Sequence, residues 1–134
     1  MPQRIDDQSI KDEDLLWRRI VNTPVWIKQN SDGTYRPSSA AFLDDYTGEV
    51  SVHLAKLTTQ EQALAGCPDE GLVEFEATIP RFLGHAVVRD PTDADPSHTL
   101  ICPPSNQTRK TRKQDARKMA DAARWLVKPM AIRS

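Results

Sequence analysis

The chain has 134 residues, enough for one domain with a modest core, and its 38% hydrophobic and 28% charged residues describe a globular, slightly polar protein. No apolar run approaches the length of a membrane span, so no membrane partner is expected. The net charge of −1 conceals a split: residues 1–106 hold 9 Lys/Arg against 17 Asp/Glu, whereas residues 107–128 hold 8 Lys/Arg against 2 Asp.

Residues 1–12 have no periodicity and are expected to be mobile, leaving residues 13–134 as a single domain. The opening MPQRIDDQSIKDEDLLW is acidic and polar and lacks the apolar core of a signal peptide, so a cytoplasmic location is expected. Alternation of Leu15, Trp17 and Arg19 with Leu16, Arg18 and Ile20 predicts a strand over 15–21, broken at Asn22-Thr23-Pro24. VWIKQ reads as a second short strand, and Asp32-Gly33 as a turn between extended segments. In RPSSAAFLDD, Pro37 turns Arg36 away from helix. AAFLD then reads as a short apolar strand that ends in a turn at Asp44-Asp45-Tyr46-Thr47-Gly48.

Val50, Val52 and Leu54 alternate with Glu49, Ser51 and His53, the pattern of a half-buried strand. LTTQEQALAGC starts a helix at Thr58 or Thr59 and stops it at Gly66. GLVEFEATIP alternates again, PRFLG reads as a helical turn ending at Gly84, and HAVVRDP and HTLICPP read as strands around a Pro- and Asp-rich loop. Trp17, Phe42, Val50, Val52, Leu54, Val73, Phe75, Val87 and Leu100 form the expected core. From Gln107 to Val127, Ala116, Met119, Ala120, Ala123, Leu126 and Val127 recur at helical spacing until Lys128-Pro129. The preceding TRKTRK has no apolar face, so residues 107–113 are expected to be more mobile than 114–127. The sum is an α+β domain: a mostly antiparallel sheet of short strands, with a short middle helix and a basic C-terminal helix packed on it.

The motifs narrow function mainly by what they leave out. No P-loop, HxH, HExxH, CxxC or EF-hand pattern occurs, so neither a cofactor nor a metal site is expected. Cys67 and Cys102 lie far apart, and reduced, non-catalytic thiols are expected. His85 and His98 have no ligand spacing, and Glu74 and Glu76 share one strand face that solvation explains. Ser38 and Ser39 most simply bond nearby backbone at the entry to the next element. With guanidiniums nearby they could also floor an anion pocket, so Arg18, Arg36, Ser38, Ser39 and His53 are the candidate ligand-binding residues.

The order LWRRI, then SSAAF, then VEFE resembles the ADP-ribosyltransferase core. There, an Arg or His on the first strand, a Ser-Thr-Ser strand and a later Glu bind a nicotinamide dinucleotide. That resemblance implies Arg18 (or Arg19), Ser38 with Ser39, and Glu76 (or Glu74) as catalytic candidates. Residues 14–102, with SSAAF, SVHL and a DP…H strand, also resemble small uncharacterised bacterial proteins.

The basic segment fits a contact surface, with Arg109, Lys110, Arg112 and Lys113 as the candidate partner residues. The acidic body disfavours nucleic acid, so an acidic protein partner is expected ahead of it. The sequence reading is therefore a non-enzymatic interaction or accessory module of a bacterial multi-protein system. An ADP-ribosyltransferase-like enzyme and a nucleic-acid-binding module are the alternatives.

Overall fold

The computed structural model describes residues 4–44 and 47–130. It is α+β. Six antiparallel strands form one sheet in the order β6-β7-β4-β1-β5-β8. The strands are β1 (Leu15–Ile20), β4 (Val50–Leu54), β5 (Gly71–Glu76), β6 (Ala86–Arg89), β7 (His98–Cys102) and β8 (Arg124–Val127). A separate hairpin pairs β2 (Ile27–Gln29) with β3 (Tyr35–Pro37) around the Asp32-Gly33 turn, where Gly33 has φ of +89°. The helices are α1 (Gln60–Ala63), α2 (Thr78–Phe82) and α3 (Arg109–Ala122). No helix among the described residues is long and apolar enough to cross a membrane.

Period-two alternation decides which sheet face is the core. Leu16 and Ile20 of β1, Val50, Val52 and Leu54 of β4, Val73 and Phe75 of β5, Val87 of β6 and Ile101 of β7 are all buried on one side. Ala116, Met119 and Ala120 of α3 cover that side, together with Ala41 and Phe42. Phe42 meets Phe75 edge to face, with centroids 5.6 Å apart. Of the expected core, Trp17 differs. It lies on the opposite face, partly exposed, and donates its indole N–H to Glu74 Oε2 at 3.0 Å.

Two further expectations are corrected. AAFLD is not a strand: Ser39–Phe42 forms a 3-10 turn, closed by Ala41 N donating to Ser38 O at 3.1 Å. Two alanines favour the helical backbone, and the turn seats both Ala41 and Phe42 under α3. Asp45 and Tyr46, in the turn expected after it, lie outside the described residues. The C-terminal helix stops at Ala122, and Arg124–Val127 pairs with β5 as β8. The open edge of β5 offers that segment ladder hydrogen bonds, and Glu74 binds Arg124. The basic end of α3 is helical from Arg109. Thr108 caps it, accepting from Thr111 N at 3.2 Å, and Gln107 donates to Asp115.

Residues 4–12 form no strand or helix, and they pack on the rest of the chain. Ile10 is 2% exposed in the core. Arg81 holds Asp6 (3.0 Å), Asp12 (2.9 Å) and the Asp7 carbonyl (2.9 Å). One guanidinium thus ties the segment to α2.

Candidate functional site

β1 and β4 are paired only at Leu16↔Leu54 and Trp17↔His53, whereas β1 and β5 are paired from Leu15↔Glu76 to Ile20↔Gly71. Past Trp17 the two strands part, and Arg18 occupies the gap. Its Nε donates to Ala41 O at 2.9 Å and its Nη1 to Ser51 O at 2.6 Å, with the guanidinium 5.0 Å from the Trp26 ring centroid. Both hydrogen bonds go to neutral carbonyls. Burial is the main reason Arg18 is pulled down to about 10; the like charge of Arg19 adds to it, and Asp44 offsets part.

A cleft of about 350 Å³ opens at this gap, lined by Arg18, Arg19, Ser51, His53 and His98 among others. His53 and His98 are direct cross-strand partners of β4 and β7. Each ring is oriented through Nδ1. His53 Nδ1 lies 3.0 Å from Asp95 Oδ2 and 3.1 Å from Ser97 Oγ. His98 Nδ1 lies 3.0 Å from both the carbonyl and a carboxylate oxygen of Asp90. The Asp95 and Asp90 oxygens can only accept, and the Ser97 hydroxyl gives its own proton to Asp95 Oδ1, so Nδ1 carries the proton in each ring and Nε2 is left for a ligand. Burial pushes the His53 pKa below its ordinary value against the pull of Asp95, and His98 and Arg19 push the same way.

A second cleft, about 270 Å³, lies where the β2–β3 hairpin meets α3 and is lined by Lys28, Arg36, Pro37, Ser38, Ser39, Arg117, Ala120 and Asp121. The five ligand-binding candidates therefore divide. Arg18 and His53 share the first cleft; Arg36, Ser38 and Ser39 share the second. Within the second, Ser38 is buried and donates Oγ to Val25 O at 2.5 Å, rather than capping the turn that follows. Ser39 is exposed. Arg36 bonds Gln29 O (3.2 Å) and Asn30 Oδ1 (2.7 Å) within its own hairpin.

The three catalytic candidates are not brought together. Arg18 is on the core side of the sheet and Ser38 lines the second cleft. Glu76 is exposed at the far end of β5, on the opposite face. Glu74, the other acid considered, is 7% exposed and committed to Trp17 and Arg124. The thiols are poorly suited to nucleophilic chemistry. Burial and Glu49 push Cys102 up to about 12, and a hydrogen bond with Glu70 raises Cys67. No group of three or more metal-ligating side chains is gathered among the described residues.

The partner-contact candidates also separate. Lys110 and Lys113 are exposed on α3, whereas Arg112 is partly buried, near Gly48 and Pro103. Arg109 is exposed, with a contact of its own. Sequence reasoning missed Arg117, which stands four residues after Lys113 on the same helical stripe and lines the second cleft. It also passed over Arg19 and His98 as ligand residues. Comparison of the chain with protein-family models, with curated proteins and with solved structures gives no match.

Proposed function

We propose that the protein is a non-enzymatic interaction module that docks an acidic protein surface, as an accessory part of a larger assembly. One observation carries this reading: the exposed stripe Lys110, Lys113 and Arg117 of α3 runs into the cleft where Lys28 and Arg36 of the hairpin add two more cations. Helix and hairpin together bring Arg117, Lys28 and Arg36 to one cleft, with Asp121 the one carboxylate in its lining, on a body whose residues 1–106 are acidic. Such a surface steers and orients an acidic partner more than it supplies raw affinity. An ADP-ribosyltransferase-like activity would need Arg18, Ser38 and Glu76 around one substrate, and these side chains diverge. Nucleic-acid binding would draw on the same cations, and the net charge of −1 disfavours it.

The test compares an oligo-glutamate peptide with a double-stranded oligonucleotide, each titrated at low and at physiological salt. Salt-sensitive binding of the peptide that Lys113→Glu/Arg117→Glu abolishes is the expected result. Tighter binding of the duplex would replace the protein partner with nucleic acid. Binding unaffected by the double substitution would remove the surface from consideration.

A further inference from the structure

The cleft at the β1–β4 gap shares no lining residue with the basic surface, and its chemistry is different. Four of its lining residues, Arg18, Arg19, His53 and His98, are cationic or can become so, and no carboxylate lines it. Arg18 is fixed by two carbonyls, so its remaining guanidinium nitrogen is held in place at no further cost in side-chain entropy. Arg19 Nε is shared with Glu70 at 3.2 Å. The Nε2 atoms of His53 and His98 have no hydrogen-bond partner among the described residues. Positive charge gathered in a partly desolvated concavity is stabilised most by an anion that bonds several donors at once.

A wider cleft of about 510 Å³ adjoins the first through Arg19 and His53. Its character is milder: Leu57, Ala63, Ala65 and Pro96 supply apolar surface, Thr58 and Gln62 supply neutral polar groups, and its one carboxylate, Asp95, is paired with His53. Together the two have the layout of a small-molecule site, a few convergent polar groups beside an apolar bed.

We propose that the two clefts bind a small organic phosphate monoester. Its phosphoryl group lies among Arg18, Arg19 and the Nε2 atoms of His53 and His98, and its organic body lies in the outer cleft. A phosphoryl group matches the donors better than a carboxylate does. It offers three terminal oxygens to donors from four positions on three strands, and its charge approaches −2 at neutral pH. The Asp95 contact at Nδ1 favours imidazolium at His53 once that dianion arrives, against the opposing charge of Arg19.

The probes are inorganic phosphate and phenyl phosphate, followed by calorimetry and by the imidazole NMR signals of the full chain. His85, buried against Asp115 and lining neither cleft, is the internal control. The His53 and His98 signals are expected to move with both ligands, the apparent pKa of His53 to rise at saturation, and His85 to stay fixed. Phenyl phosphate should bind at least about tenfold tighter than inorganic phosphate. Arg19→Ala, a change at an exposed residue checked for folding by circular dichroism, should weaken both ligands about tenfold. Ala65→Phe, which fills the outer cleft, should weaken phenyl phosphate alone. Failure of either ligand to move His53 and His98 overturns the phosphoryl site. Equal affinity for the two ligands, or an Ala65→Phe variant that binds phenyl phosphate normally, overturns the two-part ligand.

Discussion

Asp115→Ala should be among the most damaging single substitutions in this chain. Asp115 is on the buried side of α3, its side chain 8% exposed, and its Oδ2 accepts from His85 Nε2 at 2.8 Å and from Gln107 Nε2 at 2.5 Å. That one oxygen therefore joins α3 to the loop after α2 and to the chain just before its own cap. Truncation leaves the His85 N–H without an acceptor in a site where the ring is 5% exposed, and strands the Gln107 amide as well. Each stranded buried group costs about 1–3 kcal/mol, and breaking a buried charge-assisted pair about 3–5 kcal/mol. A domain of this size has about 5–15 kcal/mol to lose. At about 2.1 cal/mol/K per residue of unfolding entropy, the loss lowers Tm by about 10–18 °C. Thermal unfolding by circular dichroism and a urea midpoint should agree on that figure. Asp121→Ala, an exposed carboxylate on the same helix, is the control and should stay within about 0.5 kcal/mol. Asp115→Asn keeps an acceptor oxygen and should fall between the two. An Asp115→Ala variant no less stable than Asp121→Ala would refute the assignment of this contact as the anchor of α3.

Gly71→Ala should cost about 1–3 kcal/mol by overpacking, because a Cβ there would lie 2.7 Å from Trp125 Cζ3 and 2.8 Å from two Pro129 ring carbons; an unchanged urea midpoint would refute the close seating of β8. Phe42→Ala, which empties a site 1% exposed and breaks the edge-to-face contact with Phe75, should cost about 3–5 kcal/mol, and a loss below about 1 kcal/mol would move Phe42 out of the core. His53 has its folded pKa lowered by burial, so the folded chain takes up that proton less readily than the unfolded chain does. Stability should therefore fall as pH drops through about 6.5 toward the folded value, and His53→Asn should flatten this limb in a series of urea midpoints; an identical slope in both proteins would contradict it.

The strands of the main sheet were largely legible because each has one wet and one dry face. β1, β4 and β5 announce themselves by alternation, and the Thr59 cap of α1 and the Gly84 stop after α2 by local chemistry. The errors fell where a short segment carries two periods at once. ARWLV extends the helical stripe of α3 and also reads as a strand, and only the unpaired edge of β5 decides between them. SSAAF is too short for periodicity to separate a strand from a turn, and Phe42 reaches the core either way. The first cleft failed to emerge for a different reason. Residue types named Arg18 and His53, but nothing local says that the β1–β4 ladder ends after two residue pairs. The missed members carried no local signal: Arg19 shares its phase with Trp17 and His98 with Leu100, both expected in the core, and only the pairing of β1, β4 and β7 places Arg19, His53 and His98 on one sheet face.

The gap between β1 and β4 also accounts for why Arg18 interrupts the apolar phase of β1. Leu16, Arg18 and Ile20 point to the same side, and Leu16 and Ile20 are fully buried. An apolar side chain at position 18 would pack there but would leave the carbonyls of Ala41 and Ser51 without the donors that Arg18 supplies. A paired strand would satisfy Ser51, but it would close the cleft. The guanidinium does both jobs, supplying hydrogen bonds where the ladder stops and leaving the space beside them open. Binding a positive charge to two neutral carbonyls is an expensive way to finish a sheet, since no carboxylate lines the cleft and Asp44 offsets the cost only in part.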